Sequence, residues 1–104
     1  MVKVFITYDL APGVTREQYH EWSRTVDQPM VSRQPGVLKY EIFWIEGANE
    51  GEPWCQIVEA IEAESWEAWQ RVNDIPEMKE AVEQFFQIAD RNSIRVVYGT
   101  KIQA

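Results

Sequence analysis

Only one cysteine, Cys55, occurs in 104 residues, so no intrachain disulfide can form and no Cys-x-x-Cys pair exists for zinc or redox chemistry. Histidine is equally scarce: His20 stands alone, which excludes a two-histidine metal site within one chain. Basic residues are few. Ten Lys and Arg against 17 Asp and Glu give a formal charge of −7, which argues against nucleic acid or an anionic membrane as partner, since both demand a basic footprint. No apolar run approaches the ~20 residues of a membrane span. The opening MVKVFITYDL alternates and meets Asp9 early, so it does not read as a signal peptide. There is no phosphate-cradling glycine loop, and the stretch Glu46 to Glu52 lacks the alternating Asp/Asn ligands of a calcium loop. The expectation left by these absences is one cytoplasmic domain over residues 1–104, without a metal site.

What is present is patterned. Val2 to Tyr8 alternates, with Val2, Val4, Ile6 and Tyr8 on one side, and predicts a strand closed by Ala11-Pro12-Gly13. Thr15 and Gln18 form a capping box ahead of a helix whose apolar stripe is Tyr19, Trp22, Val26 and Met30. Pro35-Gly36 ends that segment. Val37 to Ile45 predicts a second strand with Leu38, Tyr40, Ile42 and Trp44 on one face. A polar hairpin loop follows, then a third strand over Trp54 to Ile61. Ser65 caps a short helix bearing Trp66 and Trp69. Pro76 interrupts it, and Met78, Val82, Phe85 and Ala89 continue a helical stripe. Ser93 to Ile102 alternates again, with Ile94, Val96 and Tyr98 together. The order β-α-β-β-α-β is the ferredoxin-like arrangement, an α+β fold with an antiparallel sheet and helices on one face. The other sheet face carries Phe5, Val37, Phe43, Ile45 and Val97 among Lys3, Lys39, Glu41 and Arg95. A half-apolar face that no helix of this chain covers predicts a second copy against it.

Three acid–base candidates follow. On a helical wheel Ser23, Asp27 and His20 fall to one flank of the first helix's apolar stripe. Asp27 stands two residues before Pro29, whose missing N–H loosens the helix there. Glu59 shares a strand face with Cys55, Ile57 and Ile61, where desolvation would raise its pKa into the useful range, unless it pairs with Lys39 or Arg95. Asp27, Glu59 and His20 are thus the candidate catalytic residues. Tyr8, Trp22, Ser23, Tyr40 and Trp44 are candidates to hold a planar ligand, because aromatic walls with a few polar groups suit one. Trp66 and Trp69 read as packing, and the glutamates at 77, 80 and 83 as a solvated face.

The run Val26-Asp27-Gln28-Pro29-Met30, followed by Gln34-Pro35-Gly36-Val37-Leu38-Lys39-Tyr40, resembles the EthD-like pattern of His-x-Pro, then Pro-Gly-Val and an aromatic. Aspartate here replaces the histidine. With the early Ala-Pro-Gly-Val, Trp22, and Ile57-Val58-Glu59, the chain looks like the RedY-like (HapK-like) branch of the dimeric α/β-barrel superfamily. The resemblance implies a homodimer with its two sheets facing each other, a pocket between sheet and helices, and small-molecule chemistry with no metal or organic cofactor. It implies work on an unstable indolic, bisindole or pyrrolic intermediate of pigment pathways, by hydrolysis, tautomerisation or cyclisation. Cofactor-free oxygenation and a non-catalytic binding or stress-response dimer are the alternatives. The aspartate at 27 argues against a histidine-dependent mechanism, and against a haem role, carried over from other branches.

Overall fold

The computed structural model describes residues 1–104. Strand β1 (Val2–Tyr8) leads to helix α1 (Arg16–Trp22), a π-helical turn (Ser23–Asp27) and a short helix α2 (Gln28–Ser32). Strands β2 (Val37–Trp44) and β3 (Ile57–Ala63) follow, then helix α3 (Trp66–Asn73), a 3-10 turn at Pro76–Met78, helix α4 (Lys79–Ile88) and strand β4 (Arg95–Gly99). The four strands form one antiparallel sheet in the order β2-β3-β1-β4. The fold is α+β and ferredoxin-like, with the helices on one face of the sheet. No helix is long and apolar enough to cross a membrane.

The elements begin where local chemistry dictates. Thr15 accepts from the Gln18 amide while the Gln18 side chain bonds back to the Thr15 amide, the predicted capping box. Ser65 caps α3 through the Ala68 amide at 3.0 Å. Gly36 has φ +89, a conformation that L side chains rarely adopt, and a Cβ there would meet the Ala68 Cβ at 3.1 Å. The Pro35-Gly36 turn therefore also lets α3 sit close to the start of β2.

Strand boundaries and one register differ from the sequence reading. The third strand runs Ile57–Ala63, with Trp54 exposed in the hairpin loop, because the Ile45 amide bonds the Gln56 carbonyl and pairing starts only beyond it. The last strand is Arg95–Gly99, and Ile94 ends the 3-10 turn before it. A bulge also enters β2: Val37 pairs with Ala63 and Lys39 with Glu62, which leaves Leu38 as the extra residue. Val37 consequently packs against the core, whereas Leu38 is exposed, the reverse of simple alternation.

The core is divided. One cluster gathers Val4, Ile61, Trp69, Val72 and Met78 under α3. A second gathers Tyr8, Tyr19, Trp22, Ile57 and Ala89 under α1 and α4. Ile6 touches both. Its partner across the β1–β3 ladder is Glu59, so a carboxylate occupies the row between the two clusters.

Candidate active site

Between the clusters the helices stand off the sheet and leave a cavity of about 530 Å³. That falls within the roughly 300–1,000 Å³ of small-molecule sites. Its walls are mostly apolar: Trp66 and Trp69 from α3, Met78 from the 3-10 turn, Phe85 and Phe86 from α4, and Ile6, Tyr40 and Val96 from the sheet. Tyr98 stacks on Trp66, with ring centroids 4.1 Å apart and planes within 7°, and so fixes that wall. Gln70, Asn73 and Asp74 supply a polar stretch along the end of α3. Asp27 and Glu59 both line the cavity.

The local fold explains how Asp27 arrives there. Pro29 has no N–H to continue the i→i−4 ladder. The Gln28 amide bonds instead to the Ser23 carbonyl, five residues back, and the turn widens to a π-helix. Ser23 and Asp27, on the flank of an ideal helix, are turned inward and buried. Asp27 Oδ2 accepts from the Tyr40 hydroxyl at 2.6 Å. Glu59 is only 4% exposed, and its Oε2 accepts from the Tyr8 hydroxyl at 2.5 Å. The Tyr8 and Tyr19 hydroxyls are 2.6 Å apart.

Neither acid has a cation for a partner. Lys39 pairs with Glu41, and Arg95 bonds the carbonyls of Asn92 and Ile94. Burial therefore governs both. Desolvation, and then the nearby Asp27 charge, push Glu59 up to about 8, against the opposing Tyr8 and Tyr40 hydroxyls. Desolvation pushes Asp27 up to about 6, with the Tyr40 bond opposing it. Burial drives the Tyr8, Tyr19 and Tyr40 phenols well above their ordinary range, with the Glu59 charge adding to the effect. Both carboxyls are thus held toward the protonated form, and as interacting groups they titrate together rather than singly.

The other predicted site residues lie elsewhere. His20 is exposed and, with Ser23 and Trp44, lines a second, smaller cavity of about 210 Å³ beside α1. It stands seven residues before Asp27 along the chain and does not line the Asp27–Glu59 cavity. Tyr8 lines neither cavity: it is fully buried behind Glu59. Trp22 also lines neither. It packs against Tyr19 and Phe85 and donates through Nε1 to Gln84 Oε1 at 2.9 Å, which ties α1 to α4. Tyr40 alone of the proposed aromatic residues lines the large cavity. Sequence reasoning passed over Trp66 and Trp69 as packing, and did not single out Tyr19. The missed signal in Trp66 and Trp69 is two tryptophans at i and i+3 on an eight-residue helix, more apolar surface than so short an element needs for packing.

The chain matches the family model of the REDY-like protein HapK over residues 2–102, and it belongs to that family. Solved structures agree in fold. The HapK crystal structure from Hahella chejuensis superposes with a TM-score of 0.80 at 16% identity, covering 100% of this chain and 95% of that one. An EthD-family protein from Bacillus halodurans c-125 gives 0.76 at 19% identity, covering 98% and 99%. SnoaB, a cofactor-independent oxygenase from Streptomyces nogalater, gives 0.71 at 14% identity, covering 99% and 94%. No curated protein sequence matches the chain.

Proposed function

We propose that this protein is a cofactor-independent enzyme that steers a reactive planar aromatic intermediate, of indolic, bisindole or pyrrolic type, by acid–base chemistry in natural-product tailoring. The observation that supports this reading is the convergence of Asp27 and Glu59, from different elements, on one aromatic-walled cavity. In this reading Asp27, the less strongly raised of the two acids, is the base and Glu59 the acid. Asp27 takes a proton from substrate or water, Glu59 returns one to another atom, and the outcome is hydrolysis, tautomerisation or cyclisation. The apolar wall keeps a planar intermediate from bulk water, and the acids need no metal for this chemistry. A cavity lined by neither acid would have favoured a binding-only role; this one is lined by both.

The protein acts as a homodimer in this reading. Phe5, Phe43 and Val97 are exposed on the sheet face that no helix covers, and a second copy would bury them. The likeness to SnoaB favours a second reaction on the same scaffold, direct oxygenation of an electron-rich substrate by O₂, in which Asp27 would deprotonate the substrate first. The test is an assay on the aromatic intermediates made by enzymes encoded beside this one, with Asp27→Asn and Glu59→Gln in parallel and an oxygen electrode in the cell. Conversion that disappears in both variants without oxygen uptake supports the acid–base reading, and oxygen consumption moves it to the second. Identical product profiles with and without the protein would overturn both.

A further inference from the structure

The two cavities meet the same chain of hydroxyls from opposite ends. Glu59 lines the large cavity. Its Oε2 accepts from Tyr8 at 2.5 Å, and Tyr8 lies 2.6 Å from the Tyr19 hydroxyl. Tyr19 lines the small cavity, together with Ser23, Gln28 and the exposed His20. Each phenol owns one hydrogen. With Glu59 ionised, the Tyr8 hydrogen is committed to Oε2, so Tyr19 must be the donor to Tyr8. The Tyr19 oxygen is then left to accept from the small cavity. Ser23 Oγ already accepts from Gln28 Nε2 at 3.0 Å, which leaves the Ser23 hydrogen available to donate.

We infer that Tyr8 and Tyr19 are a proton relay that recharges Glu59 from the small cavity while substrate fills the large one. A hydronium in the small cavity gives a proton to the Tyr19 oxygen, Tyr19 passes its own to Tyr8, and Tyr8 passes its own to Glu59 Oε2. One O–H bond forms and one breaks at each phenol, and the net change is one proton gained by Glu59 and one lost by hydronium. Phenolate is not a stopping point, because burial and the Glu59 charge hold both tyrosines protonated; the transfers are concerted. Afterwards the bonds run the other way, Glu59 to Tyr8 to Tyr19. When Glu59 delivers its proton into the large cavity, the hydroxyls rotate back.

The inference rests on the acid–base reading of Glu59, yet its test uses no substrate. A photoreleased proton from 2-nitrobenzaldehyde, delivered at alkaline starting pH, protonates Glu59. Time-resolved infrared follows the protonated-carboxyl band that is missing in Glu59→Gln. Tyr19→Phe keeps the Tyr8–Glu59 bond, so the static titration of Glu59 should hold while the rate of protonation falls by at least about tenfold. Tyr8→Phe should slow it as much and also raise the titration point, since a bond favouring the ionised form is lost. In the unmodified protein the rate should depend on deuterium fraction along a curve, as several protons in flight require. Parent-like rates in Tyr19→Phe, or a linear deuterium dependence in the unmodified protein, would show that protons reach Glu59 through the large cavity and would overturn the relay. Either result would leave the acid–base reading standing, whereas a normal relay in a protein that converts no intermediate would count against that reading alone.

Discussion

On the helix-covered face of the sheet, the row Val96, Ile6, Glu59, Ile42 crosses four strands and puts a carboxylate near its centre. One residue back along β1, the row Val97, Phe5, Ala60, Glu41 crosses the opposite face and leaves Val97 63% and Phe5 38% exposed. The inner row holds one carboxylate where a core wants hydrocarbon, and the outer row exposes Val97 and Phe5 where solvent wants polar groups. Strand alternation alone produces neither inversion, and such local inconsistencies are where function is expected to sit. On the function proposed above, the inner one would carry the chemistry and the outer one would meet the partner.

The inner inversion breaks most completely at Glu59. Glu59→Gln keeps the shape and the capacity to accept from Tyr8 but cannot exchange a proton. Turnover should fall by about 10²-fold or more, the contribution typical of a positioned acid or base. The pH dependence of stability should change with it. The folded state raises Glu59 from 4.5 to about 8, so the folded protein holds a proton that the unfolded chain has released. Stability is thus unpenalised below pH 4.5 and declines as pH rises toward about 8. Thermal melts across that window should show the decline in the parent and a flatter line in Glu59→Gln. A parent whose melting temperature rises through the window would contradict the burial of an unpaired carboxyl.

The outer inversion is tested by Val97→Glu. If a second copy covers that face, the variant buries two unpartnered charges per dimer, and the dissociation constant should rise by on the order of 100-fold. In a lone chain the change is at an exposed position and should alter stability by less than about 0.5 kcal/mol. Light scattering after size exclusion, set beside a melt, separates the two. A parent that is monomeric at micromolar concentration would remove the partner from the comparison.

Asp27→Asn comes next in size. The amide that replaces the carboxylate still accepts from Tyr40 but is no longer basic, so turnover should drop by at least about tenfold, with the melting temperature within a few degrees of the parent. Retained turnover would leave Glu59 as the only working acid. Ligand binding provides a finer contrast. Indole should quench tryptophan emission saturably, and Trp66→Phe, which alters the large cavity's wall, should remove more of the quench than Trp44→Phe, which alters the small one. The reverse order would move the ligand beside His20.

Much of this comparison was legible in the sequence because it depends on period. Alternation placed Glu59 among Ile57 and Ile61 on the covered face, and Phe5 with Val97 on the other. It failed where one residue was inserted into a regular element. The bulge at Leu38 exchanged the faces of Val37 and Leu38, and nothing in the local composition marks it. The π-helical turn is the same kind of insertion in a helix: Pro29 announced a weak point, but widening, rather than kinking, is what carried Asp27 inward. Tyr8, Trp22 and His20 lie outside the large cavity for a different reason. Their elements were right, but which aromatic residue lines a void and which fills one depends on how far the helices stand from the sheet, a distance set by α3 and α4 packing far along the chain.

Thr7 offers the smallest and most local test of the outer face. Its side chain alternates outward beside Phe5, its ladder partners are Val58 and Arg95, and its Oγ1 is buried without a hydrogen-bond partner in this chain. Removing a desolvated, unpaired hydroxyl by Thr7→Val should stabilise the fold by about 0.5–1 kcal/mol, seen as a melting temperature a few degrees higher, while the dimer persists. That outcome fits an outer face whose partner surface is apolar at this point. If Thr7→Val instead weakens the dimer, measured by the same light-scattering dilution series, the hydroxyl finds its acceptor on the second copy. The interface would then carry a polar contact beside Phe5, and the outer face could no longer be read from its exposed apolar residues alone.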